Sequence, residues 1–232
     1  MRIIAIETSG QRGSVAAILG QAGESTLLRH IVLDVDQRTA IVLAPALRQL
    51  MDDVSWTPSS VELVSVAIGP GSFTGLRLGV TTAKTFAYAV GAKVLGVNTL
   101  AVLAAQAPAA REPLWTIFDA QRRELFAARF DGRAPGQFPI DCETAIVAQD
   151  AWLAQLQPGD RLLGPALNRL AARLPAGVVA LPEELWQPTA ASVAQVAWQA
   201  WQAGRRDDVW KLAPNYYRPS YAEEKTSARG TL

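Results

Sequence analysis

One local pattern occurs twice in this chain, and it restricts the fold more than any other feature. Arg2-Ile3-Ile4-Ala5-Ile6 is an apolar run that ends on an acid, Glu7, turns through Thr8-Ser9-Gly10-Gln11-Arg12-Gly13 and re-enters an apolar strand from Ser14 to Leu19. Far downstream, Leu114-Trp115-Thr116-Ile117-Phe118 ends on Asp119, turns through Ala120-Gln121-Arg122-Arg123-Glu124 and returns from Leu125 to Phe130. Each reads as a β-hairpin whose first strand closes on an acid. Alternating helix and strand signals follow both hairpins, so the chain reads as a duplicated α/β unit with its boundary near Ala107 to Pro113. The expected domains are 1–108 and 109–232.

In the first unit, Ile41, Leu43, Leu47, Leu50 and Met51 recur at near-helical spacing between Thr39 and Met51, which places Pro45 in the first turn or at a kink. A second helix is expected from Leu76 to Val90. Along it Gly75, Gly79, Ala83, Ala87 and Gly91 repeat every fourth residue, a stripe of small side chains that admits another backbone closely. That stripe packs either on its own sheet or, with the Leu43/Leu47/Leu50 face, against another subunit. The candidate interface is Leu43, Leu47, Leu50, Leu76, Gly79, Val80, Ala83 and Phe86. The second unit looks abbreviated: helices Asp150 to Leu156, Asn168 to Leu174 and Ala191 to Ala203, and strands Arg161 to Leu163 and Val178 to Leu181. Its tail, Ala213-Pro214-Asn215-Tyr216-Tyr217-Arg218-Pro219, is aromatic enough to dock on the first unit, whereas Glu223 onward reads as a frayed end.

Between an apolar run, Val61 to Ile68, and the second helix lies Gly69-Pro70-Gly71-Ser72-Phe73-Thr74-Gly75-Leu76-Arg77. Glycines at a strand-to-helix junction let backbone N–H groups converge on an anion or let two elements pack closely. A Walker loop needs Lys and Ser/Thr directly after its last glycine, and here Leu76 and Arg77 follow. The dinucleotide fingerprint fails because Thr74 stands where its third glycine belongs. Gly69, Gly71, Ser72, Thr74, Gly75 and Arg77 remain a candidate anion site, with a tight packing turn as the alternative.

Composition removes several function classes. With 232 residues, 50% of them hydrophobic and 19% charged, the chain can bury a real core. It contains no bilayer-length apolar run, and an acid comes too early in Met1-Arg2-Ile3-Ile4-Ala5-Ile6-Glu7 for a signal peptide, so a cytoplasmic location is expected. Cys142 is the single cysteine and excludes internal disulfides. A formal charge of +1 provides no field for nucleic acid, which leaves contact through a partner. His30 is the single histidine, in the alternating stretch Leu27 to Leu33, where it reads as solvent-facing. A histidine-rich metal site cannot be built, so no metal is expected.

Four segments together carry a resemblance: Ile3-Ile4-Ala5-Ile6-Glu7-Thr8-Ser9, the glycine-rich nonapeptide, Gly96-Val97-Asn98-Thr99-Leu100, and Pro214-Asn215-Tyr216-Tyr217-Arg218. In order and spacing they resemble the TsaB (YeaZ) family along almost the whole chain. The resemblance implies a duplicated actin-like ATPase / RNase H-like fold. It also implies a non-catalytic scaffold or dimerisation subunit, without cofactor, for forming N6-threonylcarbamoyladenosine beside the tRNA anticodon. Its partners would be the catalytic paralogue TsaD and the ATPase TsaE. Contact with tRNA would come only through the complex. Independently of the resemblance, an apolar helix face awaiting a partner commonly self-pairs, so a homodimer is expected of the free chain. TsaD proteins carry a His-x-x-x-His metal motif where this chain has Thr99 and Leu103, neither of them able to replace the imidazoles.

Two positions depart from the family pattern. Glu7 replaces the usual Asp, which moves the carboxylate by about 1.5 Å, and Asp36-Gln37-Arg38-Thr39 lacks a histidine that many members carry. The hairpin turn Glu7, Thr8 and Ser9 is a further candidate site. An alternative activity is a small actin-like phosphotransferase or ATPase using Glu7 and Asp119 to hold magnesium. A metallopeptidase would need ligands that the sequence lacks.

Overall fold

The computed structural model describes residues 1–21, 23–132, 134, 137 and 139–217. The expectations for Arg218, Pro219 and Glu223 onward lie outside them. Two five-stranded sheets form the scaffold. The first comprises β1 (Arg2–Glu7), β2 (Ser14–Gln21), β3 (Glu24–Val32), β4 (Leu63–Gly69) and β5 (Lys93–Asn98), in the order β3-β2-β1-β4-β5. The second comprises β6 (Leu114–Gln121), β7 (Glu124–Phe130), β8 (Ala145–Ala148), β9 (Arg161–Leu163) and β10 (Val179–Ala180), in the order β10-β9-β6-β7-β8.

Both sheets are wired alike. In the first, β1 pairs antiparallel with β2 and parallel with β4, β2 pairs antiparallel with β3, and β4 pairs parallel with β5. In the second, β6, β7, β8, β9 and β10 repeat those relations in the same sequence. The duplication is thus one of topology, an RNase H-like sheet built twice. Its second copy is abbreviated, because β8, β9 and β10 have 4, 3 and 2 residues where β3, β4 and β5 have 9, 7 and 6.

Helices cover both faces of the first sheet. Ile4, Ile6, Val15, Val64 and Val66 pack beneath α1 (Thr39–Asp53) and α2 (Phe73–Val90). On the opposite face Ile3, Ala5, Ile18, Leu95 and Val97 meet α3 (Thr99–Gln106) and α6 (Ala190–Gln202). The other side of α3, through Leu100, Leu103 and Ala104, joins the core of the second sheet with Trp152 of α4 (Gln149–Gln155) and Leu167 of α5 (Leu167–Leu170). One helix is therefore shared by the two cores.

Local chemistry sets the helix ends. Ser72 caps α2 by accepting from the Gly75 N–H at 3.2 Å, and Gly91 ends it in the left-handed region at φ 73°. Asn98 and Thr189 cap α3 and α6, accepting from the N–H groups of Leu100 and Ser192. Pro45 lies in the second turn of α1, beyond the first of its two expected places. The short strand β8 and the helix α3 escape a periodicity reading. Every residue of α3 from Thr99 to Ala105 is buried, so it has no polar face to set a 3.6-residue rhythm.

The expected partner-facing stripe is corrected by burial. Leu43, Leu47, Leu50, Leu76, Gly79, Val80 and Ala83 are all buried within the chain, and Phe86 is half-buried against the same core. Their faces cover their own sheet, because its apolar side chains need that cover first. The outward residues include Ile41, Ala44 and Arg48 on α1 and Phe73, Arg77, Thr81 and Tyr88 on α2. His30 is likewise half-buried, with Nε2 shielded and unpartnered. A Cβ added at Gly75 would collide with the Thr8 carbonyl, and one at Gly79 with the Thr8 hydroxyl. Gly75→Ala should therefore cost about 2–3 kcal/mol and lower Tm by roughly 5–10 °C in a calorimetric scan. Thr81→Ala, on the exposed face of the same helix, should stay within about 0.5 kcal/mol of the parent.

Candidate functional site

Glu7 and the glycine loop meet at the carboxyl end of β1. The Ser72 N–H donates to the Ser9 carbonyl at 2.8 Å, and the Thr8 hydroxyl donates to the Gly75 carbonyl at 2.8 Å. A Cβ at Gly71 would stand 2.6 Å from both Cβ and O of Ser9. Gly71, Gly75 and Gly79 thus let the start of α2 lie directly on the turn that carries the acid.

Glu7 has no exposed surface. Its Oε1 accepts from the Ser9 N–H at 2.5 Å, the Ser9 hydroxyl at 2.6 Å and the Gly10 N–H at 3.1 Å, while Oε2 is buried without a partner. Burial raises the pKa from 4.5 to about 7, against the lowering effect of the Ser9 and Gly10 donors. The longer side chain folds back over its own turn. Asp119, the counterpart at the end of β6, accepts from the Gln121 N–H at 2.7 Å and pairs with Arg169 at 2.9 Å. Its turn runs through three left-handed residues, Gln121, Arg122 and Arg123, at φ 63°, 52° and 60°. Such backbone is costly for side chains other than glycine.

The candidate anion donors are largely committed. Ser72 Oγ caps the helix, its N–H is spent on Ser9, and the Arg77 guanidinium lies 3.8 Å from the Phe73 ring centroid while Nε donates to the Tyr216 hydroxyl at 2.8 Å. Gly69, at φ 122°, adopts backbone suited to glycine, and a Cβ there would meet the Asn215 carbonyl at 2.9 Å. Thr74 is exposed. The loop is accordingly bonded to the acid turn on one side and to the tail on the other. Thr99 and Leu103 are both fully buried at the start of α3. Among the described residues no group of three or more His, Cys, Asp or Glu side chains is placed to hold a metal ion. No helix among them is long and apolar enough to cross a membrane.

Beside the turn is a groove of about 550 Å³ lined by Gln11, Arg12, His30, Asn168, Glu184 and Gln187. Burial lowers the pKa of His30. What the sequence reading missed is the tail's route. Asn98 donates through Nδ2 to the Thr144 hydroxyl at 3.0 Å and the Tyr217 hydroxyl at 2.9 Å, joining the end of β5 to both the second unit and the tail. The signal available was Asn98 itself, a helix cap with two spare amide hydrogens.

The Glu7 pKa fixes a pH dependence. Below pH 4.5 the carboxyl is protonated in both folded and unfolded chains and makes no difference. Between pH 4.5 and about 7 the unfolded chain releases the proton while the folded chain keeps it, so stability falls by roughly 3 kcal/mol as pH rises. Glu7→Gln should remove this component. In denaturant titrations the variant's stability relative to the parent should grow by about that amount from pH 4.5 to 8, and a pH-independent difference would contradict the buried-acid assignment.

A family model described as TsaD, tRNA N6-adenosine threonylcarbamoyltransferase, matches residues 34–203. The Bacillus subtilis (strain 168) tRNA threonylcarbamoyladenosine biosynthesis protein TsaB is 29% identical over 161 residues, 69% of this chain and 68% of that protein. The Escherichia coli (strain K12) protein of the same name is 30% identical over 104 residues, 45% of this chain and 43% of that protein. YeaZ from Pseudomonas aeruginosa superposes with a TM-score of 0.74 at 25% identity, covering 93% of this chain and 99% of that one. The family model spans well over half of the chain, which therefore belongs to the TsaD family of tRNA N6-adenosine threonylcarbamoyltransferases, among its TsaB (YeaZ) members, the proteins of tRNA threonylcarbamoyladenosine biosynthesis.

Proposed function

We propose that this chain is a non-catalytic subunit of the complex that forms N6-threonylcarbamoyladenosine on tRNA, with residues 1–108 and 109–232 as its two subdomains. It pairs with the catalytic paralogue TsaD in the cytoplasm, the ATPase TsaE joins the pair, and tRNA is reached only through the complex. Without its paralogue the chain pairs with a second copy of itself. The observation that carries this reading is the sealed acid turn. Glu7 has no exposed surface, so it cannot present an oxygen to magnesium or to an attacking water without unpacking α2 from β1. Thr99 and Leu103 support it, since neither supplies a ligand where TsaD proteins have histidines.

The pairing surface in this reading is the outer side of α1 and α2. Ile41 is 62% exposed, Tyr88 67% and Trp210 71%, an amount of apolar surface that a partner would cover. Ala44, exposed on α1, is a small residue that permits close helix approach. Aromatic and arginine side chains of this kind commonly carry most of an interface's binding energy.

Co-expression with the TsaD protein of the same organism tests the proposal. The two chains should co-elute, and with the ATPase subunit, ATP and threonylcarbamoyl-adenylate as donor they should form threonylcarbamoyladenosine, read by mass spectrometry of tRNA nucleosides. Tyr88→Glu should weaken co-elution at least about tenfold with Tm unchanged. Failure of the parent chain to co-elute, with or without ATP, would count decisively against the pairing. Magnesium-dependent nucleotide hydrolysis by the isolated chain, abolished by Glu7→Gln, would instead establish the phosphotransferase alternative with Glu7 and Asp119.

A further inference from the structure

The segment that follows α6 does not leave the molecule. Asp207 bridges to Val94 and accepts from the Gly96 N–H at 2.8 Å, so the chain first runs along the free edge of β5. Lys84 on α2 then donates to the carbonyls of Trp210 at 3.1 Å and Leu212 at 2.8 Å, and the Leu212 side chain is buried in the core under α1 and α2. Beyond it the Asn215 N–H donates to the Ile68 carbonyl at 2.7 Å, at the carboxyl end of β4.

The next two residues point to different parts of the protein. Tyr216 lies on the outer side of α2, its ring 4.8 Å from that of Phe73 and its hydroxyl accepting from Arg77 Nε at 2.8 Å. Tyr217 turns inward. Its hydroxyl accepts from Asn98 Nδ2 at 2.9 Å, and its ring lies 5.8 Å from Phe126 on β7 of the second sheet. Asn98 donates its other amide hydrogen to Thr144, which also belongs to the second unit. One side chain of the tail therefore stands on the proposed pairing face, and the adjacent one stands where the two units meet.

We propose that residues 214–217 form a strap that couples the outer face of α2 to the junction between the two units. A partner that moves Tyr216 off Arg77 and Phe73 also loosens Tyr217 from Asn98 and Phe126. The physical reason is connectivity. Residues 213–217 carry no helix or strand, and their one backbone–backbone hydrogen bond among the described contacts is that of Asn215. Each tyrosine is held largely by side-chain contacts, and each docks at the high effective concentration set by its neighbour. Releasing either lowers the occupancy of the other, which makes the strap a docked/undocked element that both ends bias. The coupling rests on the reading of the α2 face as the pairing surface, but it operates in the free chain and is measured there.

Hydrogen exchange on the isolated full-length chain tests it. Two segments report the junction: residues 98–100, where the Leu100 N–H is held by Asn98 Oδ1 at 2.8 Å, and residues 124–130 of β7. Tyr217→Phe, acting directly, should speed exchange in both by roughly tenfold. Phe73→Ala and Arg77→Ala, which touch only the outer face, should do the same to a comparable extent, while Thr81→Ala leaves both segments unchanged. Faster exchange confined to residues 73–77 and 213–217 in the Phe73 and Arg77 variants would overturn the coupling. If Arg77→Ala loosened every strand, Arg77→Lys would decide by the same two segments, since it keeps the charge and loses the planar stack. Adding the paralogous partner separates the two proposals: failure to bind removes the pairing surface alone, whereas unchanged junction exchange in the outer-face variants removes the strap.

Discussion

The contact on which the rest of the architecture depends is the one between the first turn of α2 and the turn after β1. A turn and a helix can approach this closely only where no side chains intervene, and Gly71, just before α2, with Gly75 and Gly79 within it, provides that gap. From it follow the burial of Glu7, the orientation of Thr8 and Ser9 toward the loop, and the placement of α2 flat against β4 and β1. Whatever a glycine-rich loop does in phosphate-binding proteins, here its Ser72 N–H and Gly75 carbonyl are bonded to the protein's own turn.

That occupation has an electrostatic consequence. A carboxyl sealed under a helix, with one oxygen accepting three hydrogen bonds and the other accepting none, is poorly solvated as an anion. Burial raises its pKa to about 7. Glu7, at the end of β1, is thus part of the packing under α2. Asp119 follows a different course, since it is tied to Arg169 on α5 and to its own strained turn. The two halves match in topology and have diverged in the chemistry of equivalent positions.

How much of this could be read from the sequence depended on whether the signal was local. The hairpins ending at Glu7 and Asp119, the helices α1, α2 and α6, and the abbreviated second half were legible because their apolar spacing or turn residues lie within a few positions of one another. The stripe at Gly79 and Ala83 was legible as close packing but not as to its partner, because periodicity identifies an apolar face and says nothing of what covers it. Its occupant is the chain's own sheet. Helix α3 was missed for the opposite reason: it is shared between two cores and apolar all round, so burial erased the pattern that would have revealed it. The route of the tail was beyond reach, since Asn98 and Tyr217 are joined across 119 positions by side chains whose types are ordinary in any loop.

The shared helix and the tail are physically connected. Asn98 is at once the last residue of β5, the cap of α3 and the anchor of Tyr217. A buried amide that uses Oδ1 for the cap and both hydrogens for Thr144 and Tyr217 leaves no slack, because losing one partner leaves a donor unsatisfied in a site only 3% exposed. The orientation of α3 is thereby tied to the same group that receives the tail, and α3 packs on both sheets. In the proposed strap, a displacement at the tail therefore reaches, through Asn98, the helix whose two faces pack in different core clusters.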